Sequence, residues 1–169
     1  MPVQSAALSA ARLDELGAGA AAAALAPCCA SLRWVAQVVA GRPYGSADRL
    51  IAASDAALAT LDWPDIEQAL AAHPRIGAQP DREAAWSAQE QRGAAGLDAA
   101  ARDELRAANI GYEERFGHVF LICATGLSGE QMRAALGARL GNDPATERAA
   151  ATAELEKITV LRVAKALGS

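Results

Sequence analysis

The sequence is poor in aromatic residues, histidine and cysteine. Aromatic residues make up 4% of its 169 residues, and it holds two histidines and three cysteines. Because β-branched residues are also sparse, the composition argues against a sheet-rich fold. Two histidines are too few for a histidine-rich metal site, and Cys28, Cys29 and Cys123 form neither a disulfide framework nor a C-x-x-C metal motif. We therefore expect reduced thiols, a cytoplasmic protein and no bound metal.

The chain also lacks an excess of positive charge. Its formal net charge is -4 and no segment carries a basic stripe. This balance argues against nucleic acid or an anionic membrane as a partner and leaves a small organic substrate open. The first residues lack the basic start and apolar core of a secretory signal, and the alanine run Ala18–Ala26 is too short to span a bilayer.

Alanine dominates the 52% of residues that are hydrophobic, and alanine is the best helix former. Serine, aspartate, proline and glycine stand where helices would begin and end. These signals predict helices over residues 4–16, 32–40, 46–61, 64–72, 83–92, 98–115, 128–140 and 144–167. The apolar run 118–124 is too short for its periodicity to decide its structure. With no linker or repeat, we expect residues 1–169 to form a single-domain, all-α helical bundle of about six to eight helices.

The stretch His73-Pro74-Arg75-Ile76-Gly77 is the first departure from this helical pattern. His73 would lie just past a helix C-terminus, whose partial negative charge favours the imidazolium form. Histidine titrates near neutral pH, so it can carry a proton in a reaction. A surface histidine in a loop that ends a helix would give the same pattern.

Polar residues on one helix face form the second departure. Ser87 and Gln91 are four residues apart, and Glu90 is three from Ser87, so the three share a face. A hydroxyl, a carboxylate and an amide together suit a ring rich in N–H and C=O groups. A solvated helix face often carries the same residue types.

Arg162 is the third departure. It falls in the middle of the apolar stripe that Ala151, Leu155, Ile158 and Ala166 form along the last predicted helix. A buried guanidinium needs a carboxylate or a ligand. A structural ion pair and extension of the side chain to the helix edge remain open as alternatives.

Other catalytic patterns are missing from the sequence. It contains no G-x-S-x-G, no H-E-x-x-H and no phosphate-binding loop. His118, the second histidine, lies between Gly117 and an apolar run, and we interpret it as structural.

Taken together, several stretches resemble one family, the 2-oxo-4-hydroxy-4-carboxy-5-ureidoimidazoline (OHCU) decarboxylases. Each motif alone is weak, but all occur in the family's order and cover nearly the whole chain. The chain departs from the family at His118-Val119, where Phe-Pro is common, and at Tyr44, where Phe is frequent. The matching stretches are Arg33-Trp34-Val35, Arg42-Pro43-Tyr44, His73-Pro74-Arg75-Ile76-Gly77, Ser87-x-x-Glu90-Gln91, Ala95-Gly96-Leu97, Asn109-x-x-Tyr112-x-x-Arg115-Phe116-Gly117, Phe120-Leu121-Ile122-Cys123-Ala124, Arg139-Leu140-x-Asn142, and Lys157-Ile158 with Arg162.

The resemblance implies an all-α lyase that acts without a cofactor, is commonly a homodimer and produces (S)-allantoin and CO2 during urate degradation. His73 would be the general acid, with Glu90 and Arg162 completing the catalytic set. The substrate pocket would be lined by Pro74, Ser87, Ala88, Gln89, Glu90, Gln91, Phe120, Leu121, Ile122, Cys123 and Ala124.

Two other functions remain as alternatives. A non-enzymatic helical binding or interaction module would show an exposed apolar stripe and no inward polar cluster, and the position of Arg162 argues against it. A hydrolase acting one step earlier, on the ring amide, would need an activated water. The sequence offers a poor second carboxylate partner for His73 in that role.

Overall fold

The regular structure is entirely helical in the computed structural model, which describes residues 7–75 and 97–168. Those residues contain no β-strand, and the predicted all-α class is confirmed. None of the described helices is long and apolar enough to cross a membrane. The helices are α1 (Ala10–Glu15), α2 (Ala18–Leu25), α3 (Leu32–Ala40), α4 (Ala47–Leu58), α5 (Trp63–Ala71), α6 (Ala99–Phe116), α7 (Gly129–Leu140) and α8 (Pro144–Ala166).

Capping side chains begin several of these helices where the sequence predicts them. The side chains of Ser46, Asp98 and Ser128 each accept a hydrogen bond from the backbone N–H three residues later. Such bonds satisfy N–H groups that have no partner inside the first turn. At the other end of α6, Gly117 takes a left-handed conformation with φ of 78°. A residue with a Cβ would be strained there, so the glycine fixes where α6 stops.

The N-terminal region differs from the sequence-based prediction. The helix expected over residues 4–16 is shorter in the structure, because residues 7–9 are not helical and α1 covers only Ala10–Glu15. A further helix, α2, follows it. Ser9 caps α1 with its side chain, and Gly17 is extended between the two helices. The alanine run supplies α2, which the sequence pattern did not mark. The helix predicted over residues 83–92 lies outside the described residues.

The chain folds into two units, and α5 and α8 each contribute residues to both. The first unit contains residues up to Ala69 and from Glu156 onward. Its core includes Trp34, whose indole N–H donates to the Ser54 carbonyl over 3.2 Å. The second unit, Leu70–Leu155, has a core cluster of apolar side chains: Leu105, Tyr112, Phe120, Ala124, Met132 and Leu136.

Candidate active site

His73 lies just beyond the C-terminus of α5, as the sequence predicts. Its backbone N–H donates to the Leu70 carbonyl over 3.0 Å, which continues the turn past Ala71. The side chains of His73 and Pro74 are half-buried. A half-buried imidazole at this position can meet a ligand on its exposed side. The position is confirmed, and the role of His73 as an acid stays a prediction.

An ion pair attaches the loop that carries His73 to α6. Arg75 binds Glu113 through two hydrogen bonds, Nε to Oε1 at 2.6 Å and Nη2 to Oε2 at 2.7 Å. The hydrogen bond from Arg75 holds the pKa of Glu113 below its usual range. The same bond raises the pKa of Arg75. No local pattern in the sequence marked this pair, because its members are 38 residues apart.

The apolar run after α6 forms neither a helix nor a strand. Residues 119–124 run without a turn or bend, and the chain turns only at Thr125 and Gly126. Phe120, Leu121 and Ala124 are buried, whereas Ile122 and Cys123 are half-buried. We call Phe120–Ala124 the binding segment, after the role that the resemblance implies for it. Its irregular backbone answers the question that the sequence periodicity left open.

Two side chains from neighbouring helices hydrogen-bond the backbone of the binding segment. Arg139 of α7 donates from Nη1 to the Leu121 carbonyl. Glu154 of α8 accepts from the Cys123 N–H, with 2.7 Å between N and Oε2. These bonds replace the internal pairing that a helix would supply.

Arg139 is itself held by a buried polar network around Glu147. Arg139 reaches Glu147 Oε1 from Nε at 2.8 Å and from Nη2 at 2.5 Å. The Tyr112 hydroxyl also donates to Oε1, and Asn142 Nδ2 donates to Oε2 at 2.9 Å. Burial alone would raise the pKa of Glu147, but these hydrogen bonds outweigh it and hold the pKa below its usual range. Glu147 therefore remains a carboxylate although its side chain is fully buried.

Arg162 is buried in the first unit, which confirms its predicted inward position. It is 8% exposed, and its Nη1 donates to the Pro27 carbonyl over 3.1 Å. Cys28 and Cys29 lie nearby as free thiols, and Cys123 is also free. Burial raises the pKa of Cys28 to about 12, although the Arg162 charge opposes the rise. Burial also raises the pKa of Cys29.

The structure describes some of the predicted site residues, and those belong to different units. His73, Pro74 and the binding segment belong to the second unit, and Arg162 belongs to the first. The predicted pocket residues Ser87, Ala88, Gln89, Glu90 and Gln91 lie outside the described residues. A common pocket for His73, Glu90 and Arg162 thus stays a prediction.

Three further observations concern possible metal, histidine and pocket sites. Across residues 7–75 and 97–168, no three histidine, cysteine or acidic side chains are grouped so as to hold a metal ion. His118 packs its ring edge-on against Tyr112, with 5.5 Å between ring centroids, as a structural histidine would. An open cleft of about 450 Å³ between α6 and α7 contains none of the predicted site residues. Among the residues that line it are Glu104, Leu105, Ala108 and Arg133.

Comparison with known sequences gives a consistent set of relatives. The family model described as OHCU decarboxylase matches residues 14–164. The uric acid degradation bifunctional protein TTL of Arabidopsis thaliana is 35% identical over 82% of this chain, but the chain spans only 44% of that protein's length. The 2-oxo-4-hydroxy-4-carboxy-5-ureidoimidazoline decarboxylase of Amia calva is 34% identical over 76% of each chain.

Comparison with solved structures also finds proteins that are described as OHCU decarboxylase or (S)-allantoin synthase. A crystal structure of OHCU decarboxylase in the presence of (S)-allantoin matches with a TM-score of 0.74 and 30% identity. The match covers 85% of this chain and 96% of that one. A crystal structure of (S)-allantoin synthase matches with a TM-score of 0.68 over 95% of this chain and 54% of the other. At 18% identity, the second match shows a shared fold.

Proposed function

Since the chain belongs to the OHCU decarboxylase family, we propose that it converts 2-oxo-4-hydroxy-4-carboxy-5-ureidoimidazoline into (S)-allantoin and CO2 during urate degradation. The observation that carries this proposal is the structural match to an OHCU decarboxylase studied with (S)-allantoin, because it covers nearly all of that protein. The family match supports a carbon–carbon lyase over an interaction module or a hydrolase.

The proposed substrate can supply its own electron sink. Its carboxylate is attached to a ring carbon that neighbours a C=N bond. When the bond to CO2 breaks, its electron pair forms a double bond between the two ring carbons, and the C=N pair moves to nitrogen, which takes up a proton. The hydroxyl then loses its proton and becomes a carbonyl while the neighbouring carbon gains one. This second proton delivery sets the handedness of allantoin, so the protein must orient the substrate and protonate one face.

The predicted site residues fit these tasks by their chemistry. We assign His73 as the general acid, because an imidazolium near a helix C-terminus can donate a proton at neutral pH. Glu90 would keep His73 protonated. Arg162 would bind the substrate carboxylate or a developing negative charge, because a guanidinium forms strong charge-assisted hydrogen bonds.

The residues that would line the substrate pocket are also those that the resemblance implies. Pro74, the face from Ser87 to Gln91 and the binding segment would surround a ring with many N–H and C=O groups. Because the electron sink is in the substrate, the proposed reaction requires no cofactor. We propose further that residues 1–169 act as one OHCU-decarboxylase-like domain, because the family match at residues 14–164 runs through both units.

We also propose a cytoplasmic homodimer, as the resemblance implies. Free thiols at Cys28, Cys29 and Cys123 support a reducing compartment. Sedimentation velocity across a hundredfold range of concentration tests the oligomer. A species with the mass of two chains is expected, and a monomer throughout the range would contradict the dimer.

A coupled assay tests the activity. Urate oxidase and hydroxyisourate hydrolase generate the substrate from urate, and purified protein is added while absorbance and circular dichroism are followed. We expect faster loss of the transient absorbance and a growing dichroism signal from (S)-allantoin. Heat-inactivated protein is the control, in which decay is slow and the product racemic. Decay at the uncatalysed rate with a racemic product, in the presence of folded protein, would refute the proposal.

A further inference from the structure

The binding segment keeps a defined path although it has no secondary structure. A helix or strand satisfies its own backbone N–H and C=O groups, whereas an irregular segment needs other partners. Arg139 supplies one at the Leu121 carbonyl, and Glu154 supplies another at the Cys123 N–H. The two contacts come from different helices, α7 and α8. The segment is therefore fixed from outside at two points two residues apart.

The Arg139 contact is rigid because its guanidinium is held on several sides. Glu147 binds it through two nitrogens, and the Tyr112 hydroxyl and Asn142 amide hold Glu147 in turn. The guanidinium also lies over the Phe120 ring, 4.6 Å from its centroid. Arg139 thus contacts the binding segment twice, through a hydrogen bond to the Leu121 carbonyl and through a cation–π contact with the Phe120 ring.

These two contacts fix the backbone on both sides of Ile122. Ile122 lies between the two residues whose backbone groups are bonded, and it is half-buried whereas Leu121 is buried. Ile122 itself carries one backbone N–H and one backbone C=O. Among residues 7–75 and 97–168, neither group has a hydrogen-bond partner. One donor and one acceptor on adjacent atoms of the chain suit an amide or ureido group.

We propose that Arg139 and Glu154 are positioning residues that hold the Ile122 backbone donor and acceptor in place for the N–H and C=O groups of the substrate. Neither side chain needs to touch the substrate itself. The inference rests on the proposed function, since the substrate of that reaction carries both a ureido group and a ring amide. Arg139 and Glu154 are thereby given a role in the reaction, whereas the resemblance assigns them none.

Matched variants of Glu154 test this proposal. Glu154→Ala removes the acceptor for the Cys123 N–H, whereas Glu154→Gln keeps a side-chain oxygen that can accept it. Glu114→Ala on the exposed face of α6 is the control for the charge change. We expect Glu154→Ala to raise KM about tenfold, the size of effect that losing a hydrogen bond to a charged group produces, with kcat changed less than about threefold. Glu154→Gln and Glu114→Ala should stay within about twofold of the parent.

Amide hydrogen exchange without substrate gives a readout that is independent of the reaction. The Cys123 N–H should exchange at least about tenfold faster in Glu154→Ala than in Glu154→Gln, because it loses its acceptor. If the parent is inactive, the proposed function fails while exchange still tests the positioning. If the parent is active and Glu154→Ala matches Glu114→Ala in both KM and exchange, the positioning proposal is wrong. Equal losses in Glu154→Ala and Glu154→Gln would also overturn it.

Arg139→Lys is a second variant that does not depend on Glu154. Lysine keeps a positive charge beside Glu147, but one ammonium group cannot reproduce the fork that binds Glu147 and the Leu121 carbonyl together. We expect KM to rise at least about tenfold in protein whose circular dichroism matches the parent. A parental KM would remove Arg139 from the proposal.

Discussion

At the scale of single residues, His73 carries the most specific chemical prediction. His73→Asn keeps a polar side chain of similar size but removes the group that titrates. Positioned acid–base catalysis typically contributes about a hundredfold to ten-thousandfold, so we expect kcat/KM to fall within that range. Melting temperature should stay close to that of the parent, because His73 is only half-buried. A variant within about fivefold of the parent activity would contradict the acid role.

Arg162 offers a test that separates a functional charge from a structural one. Arg162→Met fills a similar volume and removes the buried charge, while the Pro27 carbonyl loses its N–H donor. If the substrate is the main partner of the guanidinium, activity should vanish while the melting temperature changes little. If a buried carboxylate is the main partner, the same change should cost roughly 3–5 kcal/mol of stability. Activity and thermal melting measured on one preparation distinguish the two, and an active variant would remove Arg162 from the site.

At the scale of elements, the Arg139–Glu147 pair joins α7 to α8. Arg139→Met alone would leave the Glu147 carboxylate buried without its main partner, at a cost of roughly 3–5 kcal/mol of unfolding free energy. Arg139→Met combined with Glu147→Gln removes both charges and should recover much of that loss. Urea unfolding of the two variants measures the difference. Equal stability of the single and double variants would show that the stranded charge is not the cause.

The Arg139–Glu147 pair should also make the stability of the folded protein depend on pH. The folded state lowers the pKa of Glu147 from an ordinary value of 4.5. A lowered folded pKa adds stability above the unfolded pKa, and this contribution is lost as pH falls below 4.5 toward the folded value. The Arg139→Met, Glu147→Gln double variant should therefore lose less stability than the parent between pH 5 and pH 3. Thermal melts across this range check the slope, and parallel curves would contradict the assignment.

The start of α7 depends on a local capping arrangement. Ser128 accepts from the Gln131 N–H, and the Gln131 side chain accepts from the Ser128 N–H. Ser128→Ala removes one of the two bonds and should cost about 1 kcal/mol, whereas Ser128→Asp keeps an acceptor and should cost less. Chemical denaturation of both variants measures this contrast. Equal losses would show that the capping bond contributes little.

At the scale of the whole molecule, the proposed mechanism predicts activity without a metal. The substrate accepts the electron pair released with CO2, so no Lewis acid is required. Exhaustive dialysis against a chelator should leave the rate of (S)-allantoin formation within the error of the assay. The control is protein dialysed against buffer alone. A loss of activity that added divalent cation restores would reveal a metal requirement.

The overall class and much of the helix layout follow from the sequence because they depend on local physics. Ser46, Asp98 and Ser128 begin helices at the predicted residues, since a capping side chain and the N–H that it binds are three residues apart. His73 stands just beyond a helix end because the proline that follows it prevents the helix from continuing. The family also follows from ordered motifs, which need no contacts to be recognised. Helix α2 was not predicted because an alanine run carries little amphipathic signal.

Tertiary structure decided which distant side chains contact the predicted site residues. The binding segment takes its path from Arg139, 18 residues from Leu121, and from Glu154, 31 residues from Cys123. Arg75 pairs with Glu113 across 38 residues, and Arg162 bonds the Pro27 carbonyl across 135. Periodicity and capping rules extend over a few residues, so they cannot say which distant side chain satisfies a given backbone group. Those partners are selected only when packing brings the helices together and burial makes an unsatisfied polar group costly.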